Sequence, residues 1–272
     1  HLGKPTLVLA GGEIFLRKDI PELIRYAAGK GLEWAMHTHG GFISKHRDLL
    51  QEIPPKMAAI SLDGPEAFHD QFRGKKGSFR DALTAMAILK DTGCKEVIAG
   101  TTVTRLNADM VADTYPIVAG SKADSWGLHL FAPEGRGAEH QELFPTASQL
   151  KRVATYARRK RGAFHVELCN EWGGAGADDI YYRDEPFLCG AGRITFVVGP
   201  QGHVLPCTTT DVSESEGNIR QEPLRKLWIQ KFQRFREAGH GACSAGHECW
   251  LQARNQNPCS QLAFGKRLGA TP

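Results

Sequence analysis

The chain has 272 residues, of which 41% are hydrophobic and 24% charged, and its 34 basic and 30 acidic side chains leave a formal net charge of +4. This composition excludes a disordered or collagen-like chain, and so small a net charge gives no reason to expect a nucleic-acid partner. No apolar run approaches the roughly 20 residues that a membrane helix needs, and the first residues lack a signal-peptide pattern. We therefore expect a soluble, cytoplasmic protein that has no membrane partner.

Short apolar runs alternate with amphipathic helical patterns through the first 165 residues. The run from Thr6 to Ala10 has the length of a buried parallel strand, and Asp19 is the expected N-cap of the helix after it, which buries one stripe. Further strands are predicted at 33–38, 57–62, 96–103 and 125–131, and helices at 45–51, 79–93, 108–118 and 150–161. Such repetition predicts an α/β fold with a parallel sheet, either open or part of a (β/α) barrel.

The sequence changes character after about residue 164. A glycine-rich link at 172–177 is followed by a predicted hairpin with strands at 194–198 and 203–205, then by a helix at 223–235 and a cysteine-bearing tail. We therefore place a boundary near residue 165, with domains at 1–165 and 166–272.

The first motif that can carry chemistry is Gly11-Gly12-Glu13, at the end of the first apolar strand. Two glycines let a ligand approach the backbone closely, and the carboxylate that follows can pair with an ammonium group. Taken alone, the motif also fits a tight turn between a strand and a helix with an exposed Glu13.

The second motif is Ser61-Leu62-Asp63-Gly64, which ends another predicted strand and is followed by Arg73. The carboxyl ends of parallel strands are where α/β folds place ligand-binding groups, and the guanidinium of Arg73 can hold a carboxylate through two N–H groups. Taken alone, Arg73 fits an ordinary surface position equally well.

Seven cysteines are many for a cytosolic core, and five of them lie from Cys189 onward. Their wide, irregular spacing suits an iron–sulfur cluster better than a zinc knuckle. The sequence predicts a lone half-buried thiol at Cys94 and leaves Cys169 open between a ligand and a core residue. The candidate metal ligands are Cys189, Cys207, Cys243, Cys249 and Cys259.

Taken together, these segments resemble the radical S-adenosylmethionine (SAM) enzymes. Residues 7–24 resemble the segment that contains the GGE motif of that family, Thr38-His39-Gly40 stands where the family has Thr-Asn-Gly, and Ile60 to Gly64 with Arg73 resembles its SAM-contacting strand and loop. The segments around Cys189 and Cys207 resemble the start of the SPASM extension, which holds auxiliary [4Fe-4S] clusters. The resemblance covers nearly the whole chain.

The resemblance implies a partial (β/α) TIM-like barrel with a small α+β cysteine-rich C-terminal domain. It implies that Gly11, Gly12 and Glu13 receive the amino end of SAM, and that Ser61 and Arg73 hold its ribose and carboxylate region. It further implies a 5'-deoxyadenosyl radical that modifies a peptide or a cofactor precursor such as a tetrapyrrole, with a reductant such as flavodoxin or ferredoxin.

Two departures from the family pattern affect these expectations. The family's C-x3-C-x2-C loop precedes the GGE segment, but no cysteine precedes Cys94 here, so the chain as written cannot ligate the catalytic cluster. Because residue 1 is His, we expect the complete gene to encode three closely spaced cysteines upstream, and we expect this chain alone to be inactive. In the SPASM pattern, His240 and Ala253 replace two cysteines, so the resemblance implies at least one auxiliary cluster and no complete ligand set for a second.

Two other functions remain open from the sequence. One is a degenerate, non-catalytic barrel that relays electrons through an iron–sulfur cluster or binds a peptide, although a binding-only protein would have no need to retain Glu13 and Arg73. The other is a zinc protein that uses Cys243, Cys249, Cys259 and a histidine.

Overall fold

The structure is a computed structural model that describes residues 4–132, 135–160, 162, 164–169, 172, 190–208 and 210–237. The chain divides into two compact units. The first comprises His1–Phe131 and Lys151–Cys169, and the second comprises Ala132–Leu150 and Asn170–Pro272. The proposed ligands Cys189, Cys243, Cys249 and Cys259 lie outside the described residues, as does His240.

The first unit contains a six-stranded sheet in which every pairing is parallel and the strand order follows the chain. Each strand pairs only with its neighbours in sequence, as in the wall of a (β/α) barrel. The predicted α/β class with a parallel sheet is therefore confirmed. The strands are β1 (Thr6–Leu9), β2 (Glu33–Thr38), β3 (Met57–Ser61), β4 (Glu96–Val103), β5 (Ser125–Leu130) and β6 (His165–Leu168).

Helices cover one face of this sheet, which we call the helix face. Trp34, Ile60 and Trp126 lie on it with at most 2% of their surface exposed, and Trp126 contacts Tyr115 of a covering helix. Residues that alternate with these along the strands, such as Ser61, lie on the opposite face, which we call the open face. The helices are α1 (Ile20–Gly29), α2 (Arg47–Glu52), α3 (Glu66–Phe72), α4 (Ser78–Asp91), α5 (Val111–Ala119) and α6 (Ala147–Arg159).

The sequence interpretation was wrong about the burial of the first strand, and it was right about the position of the N-cap of α1 but not about its side chain. Val8 is 48% exposed, because within the described residues β1 pairs with β2 alone, so this strand is not buried. Asp19 occupies the N-cap position of α1 but makes no capping hydrogen bond there. Its carboxylate instead accepts from Nε of Arg17 at 2.6 Å.

Two further helices differ from their predictions. Helix α3 was not predicted at all. Helix α6 begins three residues earlier than predicted, because Thr146 and Gln149 form a capping box: the N–H of Thr146 donates to Oε1 of Gln149 at 3.0 Å, and the N–H of Gln149 donates to Oγ1 of Thr146 at 3.3 Å.

In the second unit, the predicted hairpin is confirmed in a shorter form, with the antiparallel strands β7 (Val197–Val198) and β8 (Val204–Leu205). The predicted helix at 223–235 is broken into α7 (Leu224–Gln230) and α8 (Gln233–Glu237). The break lies at Phe232, whose φ of 61° is incompatible with a continuous helix. Its ring, 1% exposed, packs in a core with Trp228, which holds the strained backbone in place. None of the described helices is long and apolar enough to cross a membrane.

Candidate active site

The loop after β1 exposes the backbone of two glycines. Gly11 has a φ of 133°, a conformation that favours glycine, and no atom lies within 4 Å of the position that a Cβ would take at Gly11 or Gly12. Both residues are exposed. A ligand can therefore reach their peptide groups from the carboxyl edge of the sheet.

Glu13 follows these glycines, but its carboxylate is already bound within the protein. Its side chain is 3% exposed. Oε1 accepts the N–H of Phe15 at 3.2 Å, and Oε2 accepts the hydroxyl of Thr38 at 2.7 Å and the N–H of His39 at 3.1 Å. Glu13 thus ties the end of β1 to the end of β2, and the exposed Glu13 of the tight-turn alternative is wrong. A direct contact with a ligand ammonium needs one of these donors to move aside, so that role stays a prediction.

His39 supplies a fourth donor to the same carboxylate. Its Nε2 lies 3.2 Å from Oε2 of Glu13, while its Nδ1 accepts the N–H of Gly41 at 3.1 Å. Because Nδ1 acts as the acceptor, this network assigns the ring proton to Nε2. The imidazole therefore presents an N–H toward Glu13 from the position where the resembling family has asparagine.

Ser61 is the last residue of β3 and lies half-buried on the open face, beside Gly100 of β4. Within the part of the chain that the structure describes, its hydroxyl makes no hydrogen bond to protein. It is therefore available to donate to, or accept from, a bound ligand at this edge.

Arg73 ends α3 at the same edge, where Asp63 anchors it. Its Nε donates to Oδ2 of Asp63 at 2.6 Å; the Arg73 side chain is 29% exposed, whereas that of Asp63 is fully buried. Oδ1 of Asp63 accepts the N–H of Thr102 at 3.0 Å. Since Nε is committed to Asp63, the expected clamp on a carboxylate would use the two Nη groups of Arg73.

Two residues to which the sequence assigned no role complete the anchor. Asn107 donates through Nδ2 to the carbonyls of Asp63 and Thr102, both at 2.9 Å. His69 is buried, its Nδ1 accepts the N–H of Asp63 at 3.0 Å, and burial lowers its pKa. The neutral imidazole is the form that can accept this hydrogen bond. The sequence signal for this network was the motif that ends β3 together with the segment from His69 to Arg73.

The described cysteines differ in their surroundings. Cys94 precedes β4 at the amino edge of the sheet, donates to the carbonyl of Glu96 at 3.2 Å, and is so buried that its pKa is raised to about 11. It is more buried than the sequence predicted. Cys207 is half-buried in the second unit, three residues before Thr210, whose buried hydroxyl has no hydrogen-bond partner among the described residues. In the described part of the chain, no three His, Cys, Asp or Glu side chains form a metal-binding group.

The Radical SAM superfamily model matches residues 1–115, and the model for an iron–sulfur cluster-binding domain, SPASM, matches residues 189–250. Together with the parallel sheet and its glycine-bearing carboxyl edge, these matches define the class: the chain belongs to the radical SAM superfamily, whose members are enzymes. Within it, the chain is a SPASM-bearing member, so the cofactors of its family are S-adenosylmethionine and [4Fe-4S] clusters.

Relatives and solved structures agree with this assignment. The chain is 30% identical to an AdoMet-dependent heme synthase of Oleidesulfovibrio alaskensis, over 91% of this chain and 68% of the relative. It is 30% identical to the mycofactocin maturase MftC of Mycolicibacterium smegmatis, over 88% of this chain and 62% of MftC. The structure of anSMEcpe with bound AdoMet and Kp18Cys peptide has the same fold, with a TM-score of 0.65 at 17% identity, and the match covers 97% of this chain and 82% of that one.

The residues present fit one cofactor of the family and not the other at this edge. Exposed peptide groups at Gly11 and Gly12, the hydroxyl of Ser61 and the Nη groups of Arg73 suit the zwitterionic end and ribose of S-adenosylmethionine. Among the described residues, no set of three thiols for a catalytic cluster lies there: no cysteine precedes Cys94, Cys94 lies at the opposite edge, and Cys169 alone of the described cysteines follows a strand at this edge. We therefore derive no step through that cluster.

Proposed function

We propose that this chain is the SAM-binding and SPASM part of a radical SAM enzyme that modifies a tetrapyrrole precursor. When bound, S-adenosylmethionine supplies the 5'-deoxyadenosyl group with which enzymes of this superfamily remove a hydrogen atom from a substrate. In this chain, Gly11 and Gly12 would offer backbone groups to its amino end, while Ser61 and Arg73 would orient its ribose and carboxylate. Glu13 would hold the glycine loop against β2.

The observation that carries this proposal is that these groups lie at the carboxyl ends of strands of one parallel sheet. Gly11–Glu13 follow β1, Ser61 ends β3, and the anchor of Arg73 at Asp63 follows β3 and contacts Thr102 of β4. A parallel sheet gathers the ligand-binding groups of an enzyme at this edge.

The tetrapyrrole class is supported by the likeness to the heme synthase, which is matched over 68% of its length at 30% identity. The second candidate substrate is a peptide, supported by the likeness to MftC and to the fold of anSMEcpe. We further propose a cytoplasmic site of action, where cysteines stay reduced and a flavodoxin or ferredoxin can act as the reductant.

The proposal is tested on the protein encoded by the complete reading frame that contains this chain, reconstituted anaerobically with iron and sulfide. We expect reduction to release 5'-deoxyadenosine from S-adenosylmethionine, and a tetrapyrrole with propionate side chains to be modified, as seen by mass spectrometry. Arg73→Ala is expected to weaken S-adenosylmethionine binding about tenfold, the loss of one charge-assisted contact.

Arg17→Ala is the matched control, because Arg17 pairs with Asp19 on the surface and removing it leaves the edge intact. Equal binding by the Arg73→Ala and Arg17→Ala variants would remove Arg73 from the site. Absence of 5'-deoxyadenosine from the complete, cluster-loaded protein would overturn the assignment of activity. Modification of a peptide in place of the tetrapyrrole would select the second candidate.

A further inference from the structure

A thiol and an imidazole meet at the carboxyl edge of the sheet, on strands that the SAM-binding residues do not use. Cys169 directly follows β6, and its N–H donates to the carbonyl of Leu128 at 3.0 Å, which extends the pairing with β5. Its Sγ lies 3.6 Å from Nε2 of His129, a hydrogen-bond distance for sulfur. The two residues are 40 positions apart in sequence, so only the β5–β6 pairing brings them together.

This pair lies on the open face, beside a strip without side chains. Gly100 of β4 and Gly127 of β5 are paired in register. A Cβ at Gly127 would lie 3.0 Å from Sγ of Cys169, and one at Gly100 would lie 3.7 Å from Nε2 of His129. The two glycines are buried, and the absence of their side chains lets the thiol and the imidazole lie against the backbone of β4 and β5, at the edge where parallel sheets bind their ligands.

The surroundings of Cys169 are those of a reactive thiol. A neighbouring imidazole can take the proton of a thiol and stabilise the thiolate, and Cys169 as a residue is only half-buried. Cys94 provides the contrast within the same sheet, because it is buried, bonds to a backbone carbonyl, and has its pKa raised. By strand alternation, the other titratable groups on this face of β4 to β6 are Glu96, Glu167 and His165, of which Glu167 and His165 lie 4.0 Å from each other.

We propose that Cys169 and His129 form a catalytic thiol–imidazole pair that exchanges a proton with a substrate bound on the open face. The Sγ–H bond breaks as the proton moves to Nε2 of His129, which leaves a thiolate beside an imidazolium. The imidazolium gives this proton to a basic oxygen or nitrogen of the substrate, and the thiolate regains a proton from water. No electron is transferred in these steps, so they need no oxidant or reductant.

The substrate class is a molecule with a carboxylate or carbonyl oxygen near its reacting carbon, a group that propionate side chains and peptides share. The role in turnover rests on the proposed function. The reactivity of the pair does not, because it is a property of the chain itself and can be measured without any cofactor.

The test follows alkylation of the chain by iodoacetamide under anaerobic conditions, with each cysteine quantified by peptide mass spectrometry across pH 5 to 10. We expect the pH at which alkylation of Cys169 reaches half its maximal rate to lie at least one unit below 8.5, the pKa of an ordinary thiol. We call this pH the midpoint. His129→Gln should raise that midpoint and slow alkylation at pH 7 about tenfold, since one pH unit is a tenfold change in thiolate fraction. Cys94 should stay unreactive in both proteins, which reports that the fold is intact.

Two glycine variants keep the test informative if His129→Gln fails to fold. Gly127→Ala forces Sγ of Cys169 to move, whereas Gly100→Ala introduces only an ordinary contact with His129. We expect the first to raise the midpoint of Cys169 and the second to leave it unchanged. A midpoint near 8.5 or above in the parent chain, unchanged by His129→Gln or Gly127→Ala, would overturn the pair.

The catalytic role is tested with Cys169→Ser in the complete, cluster-loaded enzyme. We expect 5'-deoxyadenosine to form still, while modified product falls at least tenfold. Product formation at the parent rate would overturn the catalytic role. If the parent enzyme makes no 5'-deoxyadenosine, the proposed function fails, and the alkylation result still decides whether the thiol–imidazole pair exists.

Discussion

Asp63 shows how much one buried carboxylate can organise at the edge of a sheet. Its two oxygens accept from Arg73 and from the backbone of Thr102, its N–H donates to His69, and its carbonyl accepts from Asn107. All of its polar groups are therefore matched, as burial requires. The position of the exposed end of Arg73 depends on this residue.

We predict that Asp63→Asn lowers the free energy of unfolding by about 2 kcal/mol, less than the 3–5 kcal/mol typical of a broken buried pair because Arg73 keeps access to water. Urea denaturation at pH 7 measures the change. Asp19→Asn is the control and should leave stability unchanged, because its partner Arg17 and Asp19 itself are more than half exposed. Equal effects of the two substitutions would contradict the anchor.

The N-terminus of helix α4 is capped by a side chain of another helix. Gly77 occupies its N-cap position in a left-handed conformation and offers no side chain. Asp70 of α3 takes over that role: its carboxylate accepts the N–H of Gly77 at 2.6 Å, the N–H of Phe79 at 2.8 Å and the hydroxyl of Ser78 at 3.0 Å. These bonds, that from Gly77 foremost, lower the pKa of Asp70.

We predict that Asp70→Ala lowers the melting temperature at pH 7 and that the difference from the parent disappears in acid. A carboxyl group whose folded-state pKa is lowered stabilises the fold fully above its unfolded pKa of about 3.9. That contribution is lost as the pH falls through the lower folded pKa. Thermal melts from pH 7 to pH 2 check this, with the exposed Glu66→Ala as control. A difference that persists at pH 2 would show that Asp70 acts through something other than its charge.

The sequence predicted most elements of the sheet because their patterns are local. The stripe of Ile20, Ile24 and Ala27 is buried as the helical period requires. The break at Phe232 could not be predicted, since tertiary packing of its ring overrides a helical pattern. The bonds of Glu13 to Thr38 and the contact of Cys169 with His129 also escaped prediction, because they join residues that are distant in sequence and meet only through strand pairing.

The family assignment predicts which of the two units binds iron. Reconstitution of this chain with iron and sulfide should load auxiliary clusters only, through the SPASM region that includes Cys207. We predict that Cys207→Ser lowers the iron and sulfide content, whereas Cys94→Ser leaves it unchanged, because Cys94 is buried in the first unit. Elemental analysis and visible absorption measure both. A colourless protein that binds one zinc would contradict the cluster assignment.

The order of the strands allows the sheet to form during synthesis of the chain. Because β1 to β6 pair strictly in sequence order, each strand on leaving the ribosome finds its partner already made. Contacts that close short stretches of chain favour rapid folding, so the sheet can grow one βα unit at a time during synthesis. Each intermediate ends in an exposed strand edge, the template for wrong pairing, until the next unit covers it. β6 is the last of the six described strands to be added, and its addition brings Cys169 to His129. The thiol–imidazole pair therefore forms only after all six strands have paired.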